Sequence, residues 1–174
     1  LLQDIELDQI SSKHTSFYLE NINTDEKKQT KIKYNDDLLH QSKLIKYFIG
    51  EYNQTKIEKD LNNFLKKIKK DKKYSISKKD IILIESLKSD GIKIDKKYDN
   101  LYKILDSEMP TDIQVMVNNN ESASTILRII EVIGQDDLSA LDEDTLFFII
   151  SALNQLNIDS IRNKILLKVL PLKV

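Results

Sequence analysis

The chain has 174 residues, 40% of them hydrophobic and 32% charged, with a formal net charge of −1. That suffices for one ordinary domain with its own core, and the balanced charge gives no global pull toward nucleic acid or an anionic membrane. Zero Cys excludes disulfides, thiolate metal sites and cysteine catalysis, and 3 Gly with 2 Pro are too few for a β-sandwich or barrel rich in tight turns.

Residues 1–34 read as an irregular, linker-like segment, tied down by Ile5, Ile10, Phe17 and Leu19, with Ser11–Ser16 turn-like. From Asn35 the pattern becomes regular. Leu38, Leu39, Ile45, Phe48 and Ile49 predict a helix over Asp36–Ile49, with Gly50 as its C′ residue. Thr55 is the expected cap of a second helix, whose stripe is Ile57, Leu61, Phe64, Leu65 and Ile68. Ser77 with Asp80 reads as a capping box opening a third, closed by Gly91. Tyr98, Leu101, Ile104 and Leu105 mark a fourth. Pro110 suits the first position of a short fifth helix through Val117. Ser122 is the expected cap of a sixth, with Ile126, Leu127, Ile130 and Ile133 as its apolar stripe and Gly134 as its stop. Asp142–Leu156 is the seventh and Ser160–Leu170 the eighth.

The seventh helix is the expected centre. Asp142 can accept hydrogen bonds from the free amides of the first turn, and Glu143 and Asp144 complement the helix dipole. Leu146, Ile149, Ile150, Leu153 and Leu156 form one stripe, while Phe148 and Ala152 lie roughly opposite. A helix apolar on more than one side is packed between neighbours. Asn157 suits a left-handed residue after its end.

No segment from Asn35 onward alternates with period two, so residues 35–174 read as a single all-α domain of about eight short antiparallel helices. Helix pairs recur at solenoid-like spacing, and Ile81, Ile84, Leu87 and Gly91 match Phe147, Ile150, Leu153 and Asn157 at a constant offset. An αα-hairpin stack and an irregular bundle both remain open.

The segments EKDLNNFLKKIKK, SKKDIILIESLKSDGIKI and DEDTLFFIISALNQLNIDSIRNKILLKVLPLKV carry a resemblance. From Lys56 onward the chain resembles the C-terminal part of long, helix-rich, uncharacterised alphaproteobacterial proteins. The resemblance implies a bacterial source and a larger parent protein, and brings no catalytic motif. Two further features fit it. The 25 Lys, 25 Ile and 13 Asn suit an AT-rich genome, and a chain that opens on Leu1 with a linker-like stretch reads as the end of something longer.

Little in the chain suggests chemistry. His14 and His40 lack a second ligand at metal-binding spacing and read as surface or structural residues. GxSxG, P-loop and GxGxxG motifs are absent. Asp136, Asp137 and Asp142–Asp144 cluster, but without the spacing of a calcium loop, and helix capping accounts for the last three. Catalytic residues, cofactors and metal ligands are therefore not expected.

The charge is segregated, however. Lys56–Lys79 holds ten Lys against three acids, and Asp106–Asp159 holds eleven acids against Arg128 alone. Within the basic segment, Lys66, Lys67, Lys69, Lys70, Lys72 and Lys73 form the candidate anion-binding patch. A solvated helix end is the plainer reading, because cations there complement the dipole and the run has no Arg. The leading expectation is a non-enzymatic helical interaction or scaffold domain that binds a protein or peptide partner. An RNA- or anionic-surface-binding domain acting through Lys56–Lys79 is the alternative. The longest uncharged run, Thr145–Ile158, is too short and polar to span a bilayer. No signal peptide is visible. The sequence does not decide the compartment; it leans slightly to the cytoplasm, with the periplasm open should a leader precede Leu1.

Overall fold

The computed structural model describes residues 10–15, 33–71, 73–102 and 109–171. Six helices of eight residues or more build these parts: α1 (Gln54–Lys70), α2 (Lys78–Ser89), α3 (Thr111–Asn118), α4 (Ser122–Ile133), α5 (Glu143–Gln155) and α6 (Asp159–Val169). Short 3₁₀ segments join them, and no strand occurs among the described residues. The all-α expectation is borne out. Ile5, Phe17, Leu19, Ile104 and Leu105, offered above as anchors or helix positions, lie outside the described residues.

Local chemistry fixes most boundaries. Ser77 and Asp80 form a complete capping box: Asp80 N donates to Ser77 Oγ at 3.2 Å and Ser77 N to Asp80 Oδ2 at 2.9 Å. Asp142 caps α5 by accepting from the amides of Asp144 and Thr145 at 3.0 and 2.9 Å. Gly91 and Asn157 end α2 and α5 at φ 82° and 55°, a region open to Gly and tolerated by Asn.

Five expectations need correction. Pro110 holds the cap position of α3, not its first position, and the fourth expected helix is the 3₁₀ segment Lys96–Leu101 as far as the described residues run. The helix predicted over Asp36–Ile49 is two 3₁₀ segments, Leu39–Gln41 and Lys43–Ile49. Ser42 interrupts it with an extended backbone, its hydroxyl donating to Leu39 O at 2.7 Å. Such local side-chain bonds compete with helix. The cap of α1 is Asn53, whose side chain accepts from Lys56 N at 2.9 Å, not Thr55. Ser122 is the first residue inside α4; Glu121 holds the cap position without a side-chain bond.

Helix α5 is the hub. Phe147 and Phe148 are each 8% exposed, and Leu146, Ile149, Ile150, Ala152 and Leu153 are buried deeper still. Its main neighbours are α2, α6 and α3. The pair α2–α5 runs parallel: Lys78 pairs with Asp144 at the N-terminal ends, and Ser89 Oγ donates to Asn154 O at 3.3 Å at the C-terminal ends. Those contacts join residues 66 and 65 apart. The offset of the sequence match, 66 residues, coincides with that of the Lys78–Asp144 contact in this pair. Buried apolar side chains from Leu39 to Leu170 form one core.

Candidate interaction surface

Helix α1 buries Ile57, Leu61, Leu65 and Ile68, which turns its lysines outward. Lys66, Lys67 and Lys70 border a shallow depression of about 480 Å³ shared with Asp60, Asn63 and half-buried Phe64. Lys69 points elsewhere: its ammonium donates to Lys97 O at 3.1 Å and lies 5.8 Å from the Tyr98 ring centroid. Lys73 is exposed beyond the helix end, and Lys72 lies outside the described residues. Three of the six candidate lysines therefore converge on one concavity, with Asp60 offsetting part of their charge.

His40 is a buried structural residue. Its Nδ1 lies 2.7 Å from Asp80 Oδ1, which also accepts from His40 N at 2.9 Å. Asp80 Oδ2 accepts from Ser77 N and from the Tyr74 hydroxyl at 3.1 Å. Burial pushes the Asp80 carboxyl up, but the bonds from His40 and Ser77 outweigh it and hold the group below its ordinary value. The cluster resembles a nucleophile–base–acid set only superficially. Ser77 Oγ is 3.4 Å from the same ring nitrogen that Asp80 engages, and it already caps α2. A general base must take the nucleophile's proton on the nitrogen opposite its orienting carboxylate. This cluster pins the Leu39–Gln41 segment to the start of α2.

A second buried polar cluster centres on Arg162, which is fully buried. The guanidinium meets both oxygens of Asp90 at 2.9 Å and Asp159 Oδ1 at 3.3 Å. It donates to Ser12 Oγ at 2.8 Å and Asn154 Oδ1 at 3.1 Å, and its carbon sits 5.7 Å from the Phe48 ring centroid. Ser11 Oγ adds a bond to Asp159 Oδ2 at 2.9 Å. One arginine thus ties α6, α5, the end of α2 and residues 11–12 together. Burial pushes the Asp90 carboxyl up to about 6, against the pull of Arg162 and with Asp159 adding to the rise.

Sequence reasoning passed over this residue. The available signal was rarity: in a chain with 25 Lys, the 2 Arg mark places where a planar, multidentate fork is needed. Arg128 behaves the same way at the surface, bridging Asp112 at 2.7 Å and Glu131 at 3.0 Å.

The α3–α4 hairpin departs furthest from expectation. Two residues of the apolar stripe read on α4 lie in solvent: Leu127 is 64% and Ile130 56% exposed. Helix α4 buries Thr125 and Ile129 instead, with Ile126 and Ile133 half-covered on its flank. Val115 of α3 is 52% exposed and lies on the outward side of that helix. The main neighbour of α4 is α3, and the rest of the core touches it less. Leu127 and Ile130 thus face solvent at the outer side of a stripe whose other members, Ile126 and Ile133, are half-covered. Single exposed aliphatics are ordinary, whereas a contiguous set marks a contact surface.

Comparison with family models, curated proteins and solved structures finds no match. Among the described residues no group of three His, Asp or Glu side chains is placed to hold a metal ion, and no helix is long and apolar enough to cross a membrane.

Proposed function

We propose that the chain is a helical protein-interaction domain without enzymatic activity, the C-terminal domain of a larger bacterial protein, and that it docks a protein partner on the α3–α4 face. One observation carries this reading. Leu127 and Ile130 are more than half exposed on a helix with a strong apolar stripe, while comparable residues of α1 and α5 are buried. Leaving that much apolar surface in water forgoes about 25 cal/mol per Å², which association with a partner recovers. The two best-defined polar clusters, around His40–Asp80 and Arg162, have structural assignments in the packing of α2 and α6, which supports a scaffold over an active site.

The test is affinity capture from the native cells with the natural chain and with a Leu127→Gln/Ile130→Gln variant. A protein retained in stoichiometric amount by the first and lost from the second supports the reading. Retention of the same proteins by both chains overturns it.

A second reading, binding of RNA or an anionic surface, draws on the depression that brings Lys66, Lys67 and Lys70 beside Phe64. A positive rim around an aromatic floor suits a phosphate with a stacked base. Asp60 in the same depression and the near-neutral chain weigh against it.

A further inference from the structure

The exposed apolar face of α3–α4 sits in an acidic frame. Residues 111–136 contain four carboxylates, Asp112, Glu121, Glu131 and Asp136, against the single guanidinium of Arg128. All four acids are exposed. Glu131 follows Leu127 by one helical turn; Glu121 stands at the start of α4 and Asp136 just beyond its end. Arg128 pairs with both Asp112 and Glu131, at 2.7 and 3.0 Å, which leaves these three groups one net negative charge beside those of Glu121 and Asp136.

We infer that this face receives a cationic amphipathic helix from a partner protein. The apolar stripe of that helix packs on Leu127 and Ile130, and its Lys or Arg flanks meet the acidic frame. The inference rests on the reading of this face as the docking surface and adds the chemistry of what docks there. A third helix laid on two packed helices is the ordinary way to cover such a ridge, with its contacts spaced at i, i+3, i+4 and i+7. Addition of a strand finds no sheet edge among the described residues. Anionic lipid and nucleic acid carry the wrong sign for this frame. A second copy is also a poor occupant. Two such faces would repel, and the lysine-rich helix of this chain, α1, has its own apolar stripe buried in the core.

Fluorescence anisotropy with three labelled 18-residue peptides provides the test. One carries a leucine stripe with lysine flanks, the second the same stripe with glutamate flanks, and the third the first composition in scrambled order. At about 0.15 M salt the lysine-flanked helix should bind at least about tenfold tighter than the other two, and weaken as salt rises. Leu127→Gln/Ile130→Gln, with unchanged circular dichroism and thermal midpoint, should reduce its affinity at least about tenfold.

Equal binding of both striped peptides, lost in the double variant, would overturn the cationic preference and leave the docking surface standing. Absence of binding by either striped peptide would overturn both. Binding of the scrambled peptide as tightly as the striped one, or undiminished binding to the double variant, would reduce the effect to diffuse charge and overturn the inference.

Discussion

Replacing Asp90 by Asn isolates the electrostatics of the buried arginine cluster. Two carboxylates, Asp90 and Asp159, share the guanidinium of Arg162, so the cluster carries an excess negative charge when both are ionised. Burial outweighs the attraction of Arg162 and moves Asp90 from an ordinary 3.8 to about 6. An acid whose pKa is raised on folding binds its proton more tightly in the folded state. Its stabilisation is complete below pH 3.8 and is lost as pH climbs through about 6. At 1.36 kcal/mol per unit, the part of that shift between pH 4 and 7 corresponds to about 2 kcal/mol. Chemical denaturation of the natural chain and Asp90→Asn at both pH values provides the assay. The stability of the natural chain minus that of the variant should fall by about 2 kcal/mol from pH 4 to pH 7. Taking the difference removes the other titrating groups, Asp80 among them, whose lowered pKa acts in the opposite sense. A difference that stays flat, or rises with pH, would show that Arg162 holds Asp90 as an ordinary ion pair and would refute the reasoning.

Three other substitutions follow from the packing. Phe148→Ala empties a site on the buried side of α5 away from its main stripe and should cost about 3–5 kcal/mol in a denaturation experiment. A cost below about 0.5 kcal/mol would place that side in solvent. Ser77→Ala removes the acceptor of the α2 capping box while Asp80 remains, and should cost about 1 kcal/mol, lowering the thermal midpoint by about 2–4 °C. Changing Lys66, Lys67, Lys69 and Lys70 together to Gln should cost a few tenths of a kcal/mol through the lost helix-dipole interaction. Titration with single-stranded RNA near 0.15 M salt should show no binding by either chain; micromolar binding abolished in the variant would move the anion-binding reading to first place.

What could be read from the chain was mainly local. The capping box at Ser77, the cap at Asp142 and the left-handed Asn157 are recognisable because a few adjacent atoms decide them, and all three stand in the structure. The burial of Phe148 was legible because α5 is apolar on more than one side. The segment before Gly50 was misread because its apolar spacing suits an α-helix, while the hydroxyl bond of Ser42 to Leu39 favours two 3₁₀ turns. The Arg162 cluster was hidden by distance along the chain: Ser12, Asp90 and Arg162 meet only after folding. For α4 the periodicity identified the helix and its apolar stripe correctly. Which way that stripe faces is a property of the neighbours, and amphipathicity alone cannot distinguish a core from an unoccupied docking surface.

The central claim, docking of a protein on the α3–α4 face, is tested most directly by photo-crosslinking in the native cells. A photoreactive residue is placed singly at Leu127, Ile130 or Lys66 in otherwise natural chains. Irradiation should give one discrete protein adduct from positions 127 and 130 and none from 66. Adducts from position 66 alone, or to nucleic acid instead of protein, would contradict the account.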